Sequence, residues 1–101
     1  MDILKDTTLP QGWIIPDEKV KRALEKELTT EVGPEHVLYK KNCTTFTRSE
    51  YSDDVIYLVH EDSVKFAFVH LTFSSKQEIH STCPYTKISE DFVKVIEGEV
   101  A

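Results

Sequence analysis

Apolar positions along the chain follow two different rhythms. In residues 17–32, DEKVKRALEKELTTEV, Val20, Leu24 and Leu28 recur at steps of four with Ala23 beside them. That spacing predicts an amphipathic helix with its apolar stripe on the core and its Lys, Arg and Glu residues on the outer face. Asp17 and Glu18 fall in its first turn, where negative charge suits the helix dipole. Gly33-Pro34 is a stop signal. Beyond residue 43 the rhythm shortens to two. CTTFTR (43–48) is rich in β-branched residues and reads as extended. DVIYLVH (54–60) and VKFAFVHLTF (64–73) read as strands joined by Glu61-Asp62-Ser63, a hairpin with a three-residue loop.

The flanking segments are less periodic. Residues 1–16 read as an irregular arm from which Trp13, Ile14 and Ile15 dock on the core, because so much apolar surface is costly to leave wet. EHVLYKK (35–41) has no clear period. SSKQ (74–77) reads as a turn, and EIHSTC (78–83) as a short edge strand that Pro84 ends. SEDFVKVIE (89–97) reads as a helix capped by Ser89, with Phe92, Val93 and Ile96 buried and Gly98 at its end. The sum is an α+β fold: one domain over residues 1–101, a small antiparallel sheet of three to four strands, and an N-terminal and a C-terminal helix. Both hairpin strands are apolar on both faces. The helices and the arm must therefore cover both sides of the sheet, or a partner must cover one.

The hairpin gives one polar residue an address. Phe66, Phe68 and His70 share one face of their strand. A loop of Glu61-Asp62-Ser63 sets Leu58 opposite Phe66, Ile56 opposite Phe68 and Asp54 opposite His70. Opposed side chains stand ~5 Å apart at Cβ, close enough for a charge-assisted Asp–His hydrogen bond. A loop one residue longer or shorter would part them. The pair reads as a structural polar group at the end of the sheet, with Asp53 free to cap the preceding turn. The catalytic alternative is a small hydrolase or nuclease using His70 with Asp54, or with His60 and His80. Thr72, Tyr57 and Ser52 are its nearest nucleophile candidates. His60, His70 and His80 recur every ten residues with Glu78 nearby, whereas metal-binding loops and helices place ligands two to five apart. No metal and no cofactor is expected.

Composition narrows the class further. Apolar residues make up 40% and charged residues 30%, an ordinary globular balance. No apolar run approaches the ~20 residues of a membrane helix, so no membrane role is expected. The first residues carry neither a basic start nor a continuous apolar stretch, which predicts a cytoplasmic protein with Cys43 and Cys83 as free thiols. Three glycines cannot build a phosphate cradle of the usual kind. A net charge of −6, from 18 acidic and 12 basic residues, argues against binding nucleic acid. It suits a basic partner, and it also serves solubility alone.

One longer stretch carries a resemblance. Asp53-Asp54-Val55, Val69-His70-Leu71-Thr72-Phe73, Ser74-Ser75-Lys76, Glu78 and Cys83-Pro84-Tyr85-Thr86 follow one another in order. This resembles a group of small bacterial proteins that carry DDV before one strand, then VHLTW, a small polar turn, a glutamate, a WP-x-T segment and a terminal helix. The similarity spans roughly residues 18–97 and includes EHVLYKKNCTTFTR. Phe73 and Cys83 stand where the group has Trp. The group implies a stable scaffold more than an activity. In size and charge it is similar to immunity proteins of bacterial toxin systems, including contact-dependent growth inhibition. By that analogy the chain is expected not to be an enzyme but to bind a cognate toxin domain, a basic nuclease, and to cover its active site or groove. Its expected contacts are the acidic residues Asp53, Glu61, Asp62, Glu90 and Asp91 with Tyr51 and Tyr85 as aromatic anchors. The free chain would be a monomer or a dimer, and a generic interaction domain is the remaining alternative.

Overall fold

The computed structural model describes residue 9, residues 11–73, residue 77 and residues 84–96. The chain forms β1 (Trp13–Ile14), α1 (Glu18–Glu31), β2 (Cys43–Ser49), β3 (Asp54–Val59), β4 (Lys65–His70), β5 (Tyr85–Ser89) and α2 (Phe92–Ile96). The five strands make one antiparallel sheet in the order β1-β2-β3-β4-β5. The α+β class holds, but in place of the expected three to four strands there are five among the described residues. Trp13-Ile14 is too short to show a period, yet it pairs with Ser49 and Arg48. Residues 85–89 form a strand directly after Pro84, which lies buried at its start.

Helix α1 begins where Asp17 accepts a 2.9 Å hydrogen bond from the Val20 N–H, the ordinary task of an N-cap aspartate. Leu24 and Leu28 are buried, as their spacing requires, and Ala23 is exposed. Glu31 departs from the expected charged outer face and is fully buried. Three sheet-to-helix bonds fasten α1. The Tyr57 hydroxyl donates to the Leu24 carbonyl, the Thr45 hydroxyl donates to the Lys21 carbonyl, and the Thr45 N–H donates to the Glu25 carboxylate.

Both faces of the sheet are covered. On one face, Val55, Tyr57, Val59, Ala67, Val69 and Leu71 pack with Leu24, Leu28, Val32 and Leu38. On the other, Phe46, Ile56 and Phe66 pack with Val95, and with Phe92, Ile96 and Trp13 at their edges. A bulge between Thr45 and Thr47 makes Phe46 the extra residue of β2 and delivers its ring to this second core. Phe46, Phe66 and Phe92 meet there at centroid distances of 5.1–5.9 Å, and Trp13 stacks edge-on against Phe68 at 6.1 Å.

Other boundaries move. β4 ends at His70 rather than residue 73, because the Thr72 and Phe73 N–H groups turn to the Glu31 carboxylate and Phe73 takes φ +51°. α2 spans Phe92–Ile96 only. Ser89 belongs to β5, and Asp91, whose carboxylate accepts from the Lys94 N–H, stands at the cap instead. Val95 is the fully buried residue of α2, with Phe92 and Ile96 partly buried; the expected burial of Val93 lies outside the described residues, as do the 78–83 edge strand and Gly98. Ile14 and Ile15 are exposed, so Trp13 alone of that trio packs inward. No helix among the described residues is long and apolar enough to cross a membrane.

Candidate functional site

The Asp54–His70 register is the expected one, although the connection is five residues long, His60–Val64, and not three. Asp54 stands opposite His70, Ile56 opposite Phe68 and Leu58 opposite Phe66. His70 Nδ1 lies 2.7 Å from Asp54 Oδ1, and the Ser52 hydroxyl donates to Asp54 Oδ2 at 2.7 Å. The next residue in the same row, across β4 and β5, is Tyr85, and Lys87 Nζ sits 5.5 Å from the centre of its ring. A carboxylate on Nδ1 assigns the proton there and leaves Nε2 as the acceptor nitrogen of a neutral imidazole. The His70 side chain is half exposed.

This row has the orienting half of an acid–base site. Ser52 bonds the carboxylate and not the imidazole, whereas an activated nucleophile must share its proton with the base. The Tyr57 hydroxyl is buried and committed to the Leu24 carbonyl, and burial pushes its phenol far above the ordinary range. Thr72 is engaged with Glu31 through its backbone N–H and its side chain. His60 lies at the other end of β3 from this row, where its Nε2 stands 2.7 Å from the Thr44 hydroxyl. His80, Glu78 and Cys83 lie outside the described residues. Among the described residues no group of three or more His, Cys, Asp or Glu stands close enough to hold a metal ion. Cys43 lines a cleft of about 340 Å³ between α1 and residues 38–43, where burial, with the Glu61 charge, pushes its thiol up to about 11.

The residues expected to form one acidic epitope divide between opposite ends of the sheet. Tyr51 and Asp53 sit in the β2–β3 connection, and Tyr85 opens β5, all at the end that carries His70. Glu61 and Asp62 sit in the β3–β4 connection, and Glu90 and Asp91 follow β5, at the far end. There the Ser63 hydroxyl donates to Glu90 at 3.3 Å and Lys41 pairs with Glu61 at 3.1 Å. Strands of five or six residues hold the two ends roughly 20 Å apart.

The His70 end concentrates aromatic surface. Tyr51, Phe73 and Tyr85 are the exposed aromatic rings among the described residues, and all three lie there. Two of them rest on unusual backbone. Gly12, at φ +93°, packs so closely under Tyr51 that an added Cβ would come within 2.6 Å of its ring. Phe73 itself is left-handed. Phe73 also shares a small cavity with Ser52, Asp53 and Asp54.

Two functional-grade polar groups escaped sequence reasoning. His36 is buried, accepts the Leu38 N–H on Nδ1 at 3.0 Å, and reaches the Pro84 carbonyl with Nε2 at 2.9 Å. Glu31 is the other. It falls seven residues after Leu24 and three after Leu28, on the apolar stripe, which is the signal that could have found it. No family model matches the chain, and neither a curated protein nor a solved structure matches it.

Proposed function

We propose that the chain is a protein-binding inhibitor of the immunity type, which docks its aromatic end on a basic toxin domain, a nuclease, and covers the groove that holds phosphates. The observation that carries this reading is the convergence of Tyr51, Phe73 and Tyr85 at one end of the sheet, with the exposed carboxylates of Glu50 and Asp53 beside them. Exposed aromatics grouped on a rigid frame are the usual anchors of a protein interface, and a carboxylate rim complements a positive groove. The net charge of −6 favours fast association with a basic domain. The resemblance to small bacterial proteins supplies the analogy to toxin immunity.

The experiment is co-expression with the C-terminal domain of a secreted toxin encoded beside this chain. A 1:1 complex, loss of nuclease activity and growth rescue are expected. Tyr51→Ala with Tyr85→Ala should weaken the complex by about 30-fold or more, as loss of a hot spot does. Glu61→Lys with Glu90→Lys, at the far end, should act mainly on the salt-dependent association rate. If the charge reversals abolish binding and the aromatic substitutions do not, the acidic end is the epitope. Absence of any complex and of rescue removes the reading.

The Ser52–Asp54–His70 chain favours a second reading, a small hydrolase that uses His70 as a base. Hydrolysis of phosphodiester or ester substrates by the pure protein, lost in a folded His70→Gln variant, would establish it in place of the first.

A further inference from the structure

The least expected polar group in the molecule is the Glu31 carboxyl. It ends α1, is fully buried, and faces the chain just after β4. Its Oε1 accepts the Thr72 N–H and its Oε2 the Phe73 N–H, both at 2.9 Å. The Thr72 side chain hydrogen-bonds it as well, and so does Glu27, one helical turn earlier. Two carboxyl groups joined by a hydrogen bond need a proton between them.

We propose that Glu27 and Glu31 form a proton-sharing latch that fastens the Thr72–Phe73 turn, holds the Phe73 ring in its exposed left-handed pose, and loosens when the shared proton is lost.

Each part of the latch has a physical role. A left-handed conformation is unfavourable for a non-glycine residue, so Phe73 needs an external hold. The paired N–H bonds to one carboxyl supply it. The charged groups around Glu31 give no relief once the proton leaves. Glu27 on its own helix is a second acid. From β3 it is faced by Tyr57, whose hydroxyl is already donated to Leu24. Beside Phe73 stand Asp53 and Asp54, of like charge, and Arg48, whose Nε is given to the Ser49 carbonyl. No lysine or arginine among the described residues forms an ion pair with Glu31. Burial, then the Glu27 bond, push the Glu31 carboxyl up to about 7, against the lowering effect of the Thr72 and Phe73 bonds.

The sign follows from linkage. The closed latch keeps a proton that the open or unfolded chain releases near the ordinary carboxylate value of 4.5. Between that value and about 7 the closed state binds more protons, so its advantage falls as pH rises. It is complete at acid pH and gone above about 7. The latch itself is a property of the free chain. Only its consequence for docking, the presentation of Phe73 beside Tyr51, rests on the proposed function.

The test is amide hydrogen exchange of the free protein from pH 5 to pH 8, corrected for the intrinsic pH dependence of exchange. Protection of the Thr72 and Phe73 amides should fall by about a hundredfold across that range, while amides in β3 hold theirs. Glu27→Gln keeps a hydrogen-bond donor for Glu31 and removes the need for the proton. The burial of Glu31 remains in this variant, so both amides should be better protected at pH 8 than in the wild type and the profile should become shallower without going flat. Because Glu27 is partly exposed, this variant is expected to fold; Glu31→Gln, with one acceptor oxygen in place of two, should lose protection at all pH values. Protection that is independent of pH in the wild type, or a slope as steep in Glu27→Gln as in the wild type, overturns the proposal. Either result would leave the toxin-binding reading standing, since that reading is tested by complex formation.

Discussion

The buried Tyr57 hydroxyl donates a 2.7 Å hydrogen bond to the Leu24 carbonyl, tying the central strand of the sheet to the middle of α1. Burial, reinforced by the nearby Glu31 charge, pushes the phenol far above its ordinary range, so it remains a donor wherever the fold persists. The Leu24 carbonyl is already an acceptor within the helix, and the bond is its second. Tyr57→Phe therefore strands no buried carbonyl. It should lower the unfolding free energy by about 1 kcal/mol, with an unchanged denaturant slope, in urea titrations. Leu24→Ala, which opens a cavity beneath the same contact, should cost about 2–5 kcal/mol.

Gly12 and Tyr51 make a second dependency. At φ +93° an L side chain is strained, and a Cβ at this position would stand 2.6 Å from the Tyr51 ring. Gly12→Ala should destabilise the fold by about 1–2 kcal/mol and displace the ring. Pairing it with Tyr51→Ala should recover the steric part and leave the backbone part. Differential scanning calorimetry of the two single variants and the double variant separates them, and an additive result would mean that ring and glycine do not interact.

Which features the sequence disclosed depended on whether a periodicity or a chain-length constraint applied. Asp54 opposite His70 was legible because strand side chains alternate and a turn centred on Asp62 leaves one register, whether the connection has three residues or the five observed. Glu31 lies on the stripe of Leu24 and Leu28, and its charge masks that place in the sequence. Burying it requires acceptor work, and the donors, Thr72 and Phe73, lie forty-one and forty-two residues away. The bulge at Phe46 left no trace in CTTFTR, because only pairing with β3 reveals an extra residue. The division of the expected epitope was derivable in principle. In an antiparallel meander successive connections fall at alternate ends, which parts Tyr51 and Asp53 from Glu61 and Asp62. It also sends the start of β5 and its end, Tyr85 and Glu90, in opposite directions.

Cys43 offers a chemical check on the burial of β2. Its thiol is pushed up to about 11 by desolvation and the neighbouring Glu61 charge. At pH 8 only about one molecule in a thousand then carries the thiolate that alkylating reagents require. In a Cys83→Ser background, native protein should react with iodoacetamide far more slowly than denatured protein, and its rate should climb steadily between pH 8 and pH 10. Equal rates in the native and denatured states would place Cys43 in water.

His36 fastens the segment after α1 to the start of β5, and it does so as a neutral ring. Its Nδ1 accepts from the Leu38 N–H, so the proton resides on Nε2, which donates to the Pro84 carbonyl and lies 3.2 Å from the Thr86 hydroxyl. The same hydroxyl donates to Pro84, so that carbonyl keeps one partner if the ring is removed. The Leu38 N–H does not. His36→Ala should therefore cost about 2–3 kcal/mol, the penalty of a stranded buried donor together with the lost packing, and the Leu38 amide should lose its protection against exchange. His36→Gln can reach Pro84 but cannot meet the Leu38 N–H at the same time, so its cost should fall between wild type and alanine. If glutamine and alanine prove equally mild and the Leu38 amide stays protected in both, the ring is filler at this junction and not its fastening.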